Sequence, residues 1–159
     1  MPELLSTNDL APKFSIKCDG NRNIDTNTIN NPYIIYFYPK DDTPGCTIEA
    51  IDFSSNIDFF NTNNITIIGI SKDTIEKHEK FKSKNNLKVL LGSDISGEVC
   101  EKFGVWVEKS MYGKKYMGIE RSTFLINSDN TIYKDWRKVK VKGHVEEVIK
   151  FSKEMLNIS

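Results

Sequence analysis

Cys46 stands at the end of a charged turn bracketed by prolines, in the segment FYPKDDTPGCTIEAIDF that runs from Phe37 to Phe53. The thiolate, not the thiol, is the nucleophile, so a working cysteine needs a local source of positive potential. The residues before it supply one. Thr43 is of a type that caps helices, and Pro44 suits the first helical position because the N–H it lacks would be unpaired there anyway. Cys46 then falls third in the first turn, beside free backbone N–H groups and the positive end of the helix dipole, which favour thiolate over thiol. Beyond it, Ala50, Phe53, Ile57 and Phe60 continue the helical spacing, so the sulfur lies on the face that turns inward. A cysteine on an apolar helix stripe can also be plain core filling; the cap, the proline and the first-turn place set Cys46 apart.

The other thiols, Cys18 and Cys100, make the total an odd three with no C-x-x-C pair, which is no disulfide framework. All three could be small buried hydrophobes. The two histidines, His78 and His144, are far from the cysteines in the chain, so no metal site is expected. His78, in IEKHEKF, reads as a solvated helix residue and His144 as the start of the last helix; neither has a companion that suggests acid–base work. With 22 basic residues against 22 acidic, the chain carries no field that would recruit nucleic acid or an anionic membrane. MPELLSTNDLAPKF has no basic region followed by an apolar run, and no segment has the roughly 18 apolar residues of a membrane span. The cytosol is the expected compartment, where thiols stay reduced.

The elements that must position Cys46 alternate along the chain. YIIYFY (Tyr33 to Tyr38), ITIIGI (Ile65 to Ile70) and STFLI (Ser122 to Ile126) are short, continuous and β-branched or aromatic, as strands buried on both faces are. KVLLGSD (Lys88 to Asp94) is a further strand, and TIYKDW (Thr131 to Trp136) follows a turn signal and should pair with the strand before it. Helical patterns fall at Cys46 to Phe60, Thr74 to about Lys84, Gly97 to Phe103, and Val145 to Leu156. FSIKCDGNRNI predicts an added N-terminal hairpin with Asp19-Gly20 at its turn. The expectation is an α/β protein, one domain over residues 1–159, with a central mixed sheet and helices on both faces.

Pro39 through Cys46, PKDDTPGC, resembles the P-x-x-x-[TS]-x-x-C signature of the peroxiredoxins, and FYPKDDTPGCT is most similar to the bacterioferritin-comigratory-protein or peroxiredoxin Q branch. The resemblance continues through CEKFGVW, GIERSTFLI and KVKGHVEEV in the family's order, and so covers nearly the whole chain. It implies a thioredoxin-like fold and a thiol peroxidase of antioxidant defence that reduces hydrogen peroxide and organic hydroperoxides without a cofactor. By this resemblance Cys46 is the peroxidatic cysteine. Thr43 turns its hydroxyl toward the pocket, Arg121 enters it from the start of a strand, and Pro39 shields the site and holds the turn. Read singly, Thr43 is a cap, Pro39 a strand stop and Arg121 a surface charge. Glu49, one turn beyond Cys46, could form an ion pair near the pocket, but acids in a helix's first turns are common for dipole reasons, and it stays outside the assigned set.

The sequence departs from many relatives where they carry a resolving thiol. Ile51 stands five residues after Cys46, and KHEKFKSKN, on the next helix, has no cysteine. Cys100, on a short amphipathic helix, and Cys18, beside what reads as an exposed turn, are the remaining candidates; otherwise an external thiol such as thioredoxin, glutaredoxin or glutathione reduces the sulfenic acid. The expected assembly is a monomer or weak homodimer. Two alternatives stay open: a thiol–disulfide oxidoreductase, which normally needs a second sulfur where Thr43 stands, and a non-catalytic binding or holdase protein on the same fold.

Overall fold

The alternating runs assemble, in a computed structural model that describes residues 5–158, into a seven-stranded sheet of order β2-β1-β5-β4-β3-β8-β9. Residues 1–4, at the head of the segment read above for a leader, and residue 159 lie outside the described residues. β1 (Ser15–Cys18) and β2 (Arg22–Asp25) form the expected hairpin and join the sheet through β5. β3 (Tyr33–Phe37), β4 (Thr66–Ser71) and β5 (Leu90–Ser93) run parallel in the middle. β8 (Ser122–Ile126) pairs antiparallel with β3, and β9 (Ile132–Trp136) with β8. This is the mixed sheet of a thioredoxin-like fold, and β3 and β8 are buried along their whole length, which is why they read as unbroken apolar runs.

The sheet divides the core in two. On one face Ile34, Tyr36, Tyr38, Ile67 and Leu125 pack with Cys46, Ala50 and Phe53 of α1 (Pro44–Ser55), Phe60 of α2 (Ile57–Thr62), Phe81 of α3 (Ile75–Asn85), and Val145 and Val148 of α5 (His144–Leu156). On the other, Tyr33, Ile35, Phe37, Ile68 and Phe124 pack with Ile16 and Cys18 of β1 and Val99 and Cys100 of α4 (Glu98–Lys102). The split follows from the two-residue period of a strand. His144 does begin the last helix; its Nε2 is 2.8 Å from the Thr123 hydroxyl. Burial pushes its pKa down to about 4, so it ties α5 to β8 as a neutral ring.

Three expectations are corrected, and one element went unpredicted. The helix from Cys46 does not run to Phe60 but breaks at Asn56, whose side-chain amide donates to the Asp52 carbonyl at 2.8 Å and whose N–H reaches back to Phe53, so local side-chain bonding competes with the helix ladder. A separate ribbon, β6 (Trp106–Met111) with β7 (Lys114–Ile119), carries no apolar alternation that would have marked it. Its turn uses Tyr112 at φ 52° with Gly113 at φ 79°, in place of the usual Asn-Gly. Cys18 is 1% exposed, not a surface thiol, because the next residue, Asp19, is itself buried, taking Lys82 Nζ at 2.6 Å and the Leu91 N–H at 2.9 Å. His78 is fully buried as well, the opposite of a solvated helix residue; its partners are described below.

Candidate active site

Thr43 takes the N-cap position of α1 with extended backbone, φ −95° and ψ 154°, Pro44 and Gly45 follow, and Cys46 is third in the first turn as expected. The Thr43 hydroxyl, however, makes no capping bond. It donates to the Lys40 carbonyl at 2.9 Å, and only its backbone oxygen serves the helix, accepting the N–H and the hydroxyl of Thr47. The oxygen of Thr43 therefore keeps its lone pairs for another donor. Pro39 lies exposed in the connecting loop just past β3.

Arg121 precedes β8 by one residue and, by the strand's alternation, faces the same side as Thr123 and Leu125. That is the side of Cys46. Its guanidinium forks: Nη2 is 3.2 Å from Cys46 Sγ and Nη1 is 2.7 Å from Glu49 Oε1. Gly45 leaves room for this approach, since a Cβ there would stand 3.2 Å from Nη2. Desolvation works against the Arg121 charge, but Glu49 and Cys46 outweigh it and hold the guanidinium cationic.

Sequence reasoning left out two groups that shape the electrostatics of the site. Glu49 is fully buried; its Oε1 holds Arg121 while Oε2 has no partner among the described residues, and burial, only partly offset by Arg121, raises its pKa to about 7. The signal was present in the sequence, since a residue three positions after Cys46 shares its helix face, but the burial that decides its role was not. Lys109 of β6 is the second: burial and the neighbouring Arg121 lower its pKa, and Cys46 acts in the opposite direction. Nothing in VEKSM marks it.

The Glu49 shift has a stability consequence with a definite sign. Unfolded, its proton leaves near 4.5 and, folded, near 7, so between those values the unfolded chain holds fewer protons and stability falls as pH rises. The penalty is on the order of 3 kcal/mol and complete above about pH 7. Glu49→Gln keeps the acceptor for Arg121 without the charge. Its melting temperature relative to the unmodified protein should climb from pH 4.5 to 7; a constant difference across that window would count against a buried, unneutralised carboxylate.

Cys18 and Cys100 are not brought to this site. Both pack on the far side of the sheet from Cys46. Burial, then Asp19, pushes the Cys18 pKa up to about 11; burial and Asp94, which accepts the Cys100 N–H at 2.8 Å, drive Cys100 higher still. Each is a poor nucleophile where it stands.

With this geometry in view, a family model described as AhpC/TSA matches residues 7–134. The chain belongs to the AhpC/TSA family. Among its relatives, a Bacillus subtilis protein named peroxiredoxin Bcp is 48% identical over 146 residues, 91% of this chain and 93% of that one. A putative peroxiredoxin bcp of Coxiella burnetii is 46% identical over 140 residues, covering 87% and 93%. Among solved structures, the bacterioferritin comigratory protein of Xanthomonas campestris superposes with a TM-score of 0.85 at 37% identity, over 89% and 91% of the two chains. A cysteine-to-serine mutant of Xylella fastidiosa PrxQ does so at 0.87 and 32%, over 98% and 99%. The chain is thus a peroxiredoxin of the bacterioferritin-comigratory-protein and peroxiredoxin Q type, an AhpC/TSA thiol peroxidase. Of the three readings open from the sequence, this is the one its relatives share.

Proposed function

We propose that Cys46 is the peroxidatic nucleophile and that the chain works as a one-cysteine peroxidase, reduced by an external thiol. The observation that carries the assignment is the guanidinium fork of Arg121 on Cys46 and Glu49. One N–H stabilises negative charge on the sulfur, and the same cation lies beside the charge that develops as the O–O bond breaks. Thr43, with its hydroxyl proton given to Lys40, offers its oxygen to the peroxide O–H. Pro39 holds the turn. The thiolate attacks the terminal oxygen, the S–O bond forms as O–O breaks, and the departing alkoxide or hydroxide takes a proton to leave as alcohol or water. Cys46 becomes a sulfenic acid.

A first external thiol condenses with that sulfenic acid, releasing water and forming a mixed disulfide, and a second thiol displaces it to restore Cys46. Thioredoxin fits this role, as does a small thiol. Hydrogen peroxide and organic hydroperoxides are the substrates; the Xanthomonas campestris bacterioferritin comigratory protein has alkyl peroxide reduction activity. The setting is the cytoplasm, and the working assembly a monomer or weak homodimer. No helix among the described residues is long and apolar enough to cross a membrane.

Support for the external reductant is the sheet itself, which stands between Cys46 and the other two sulfurs. An internal disulfide needs Cα atoms within about 7 Å, and no small shift of a loop carries Cys46 through β3 and β4. One equivalent of peroxide should therefore give a single sulfenic acid on Cys46. Intact mass under denaturing conditions, with a sulfenic-acid trap and thiol counting, reads the result. Loss of two thiols together with a Cys46–Cys18 or Cys46–Cys100 peptide would overturn the one-cysteine cycle and name the resolver.

A further inference from the structure

The loop that carries Thr43 is tied down by a buried polar cluster that the chemistry above does not use. Asp41, between Pro39 and Thr43, is 7% exposed. The Tyr38 hydroxyl donates to its Oδ1 at 2.6 Å, and His78 Nδ1 of α3 lies 2.6 Å from its Oδ2. The other ring nitrogen, His78 Nε2, is 2.9 Å from the Gly92 carbonyl in β5. A carbonyl can only accept, so Nε2 carries a proton and donates it, and Nδ1 and the Asp41 carboxylate share a second. The main chain of Asp41 is held too: its N–H donates to Asp73 Oδ2 at 2.8 Å, an oxygen that also accepts the Ser71 hydroxyl at 2.7 Å. One residue earlier, the Lys40 carbonyl takes the Thr43 hydroxyl proton.

Tyr38 just past β3, His78 of α3 and Asp73 just past β4 thus converge on one residue of an irregular loop. Stability alone does not account for this, because a buried ionic network is often no better than well-packed apolar residues of the same volume. What such a network does supply is one fixed geometry. We propose that Asp41, His78 and Tyr38 are positioning residues of the peroxidase: they fix the Lys40–Thr43 turn, and with it the first turn of α1, in the arrangement that reacts, and so set the rate at which Cys46 meets peroxide. The proposal rests on Cys46 being the reacting sulfur.

Asp41→Ala removes the hub, and Asp41→Asn rebuilds it without charge. In the asparagine variant the side-chain carbonyl still accepts from Tyr38, and the amide donates to Nδ1 of a neutral ring whose Nε2 still donates to Gly92. The quantity to measure is the second-order rate constant for Cys46 oxidation by hydrogen peroxide, per folded molecule, at a temperature where circular dichroism finds each variant native. A displacement of the turn by as little as 1 Å should slow Asp41→Ala by about 10- to 100-fold. Asp41→Asn should stay within about threefold of the unmodified protein, a loss of less than one hydrogen bond's usual worth. Asp41→Ala reacting at the unmodified rate with only a lower melting temperature overturns the proposal, as does Asp41→Asn as slow as the alanine variant. If Asp41→Ala does not fold, Tyr38→Phe decides: losing one donor to the carboxylate should cost about threefold or more, and an unchanged rate overturns the assignment. Cys46→Ser in the same assay separates the two layers of the argument, because an active serine variant sinks the reading of Cys46 itself, whatever the Asp41 variants do.

Discussion

Cys46→Ser is expected to remove peroxide turnover, by about a thousandfold or more, because a serine hydroxyl cannot replace the sulfur placed against the Arg121 guanidinium. Cys18→Ala and Cys100→Ala together should leave the rate with dithiothreitol unchanged per folded molecule. Both sulfurs are core atoms on the far face of the sheet, so the cost there is stability: each truncation leaves a small void, about 1 kcal/mol or so per lost buried group. Peroxide consumption measured below the melting transition separates activity from folding. Retained turnover in Cys46→Ser, or its loss in the double alanine variant, would require a different cycle.

Arg121→Ala should slow peroxide reduction by about a hundredfold, the usual loss when one preorganised donor to developing charge is removed. The change also strips Glu49 of its partner inside the protein. A buried carboxylate left alone takes up a proton instead of staying charged, so the variant should be less stable at neutral pH and should recover as the pH falls. Arg121→Lys restores the charge without the fork. One ammonium cannot span Glu49 Oε1 and Cys46 Sγ in the way Nη1 and Nη2 do, and the lysine variant should fall between the two. Stopped-flow mixing with hydrogen peroxide gives the rate constants. Equal rates in all three proteins would reduce Arg121 to a structural ion-pair partner.

The functional assignments fail in the sequence wherever burial decides them. In IEKHEKF, His78 sits among charges and reads as solvated, yet the ring is the buried hub between the catalytic loop and β5. Asp41 looks like one more acid of a polar turn. Local context is a poor guide for both, because Asp41 pairs with His78 of α3, 37 residues further along, and His78 reaches back to Asp41 and across to Gly92 of β5. Glu49 was visible as a neighbour of Cys46 on the helix, but only the packed core shows that it is fully buried and paired with Arg121.

By itself the sequence determined the alternation of buried strands and amphipathic helices, the hairpin at Asp19-Gly20, and the place of Cys46 in the first turn of α1. These depend on side-chain period, on proline at N1 and on turn chemistry, all of which act over a few residues. Tertiary structure alone decided which side of the sheet each group occupies. Strand pairing puts Arg121 and Cys46, 75 residues apart, within 3.2 Å on one face and sends Cys18 and Cys100 to the other. The break at Asn56, the polar β6–β7 ribbon and the Asp41–His78 pair likewise arise from competition between local preference and distant partners. Spacing along the chain contains no term for that competition.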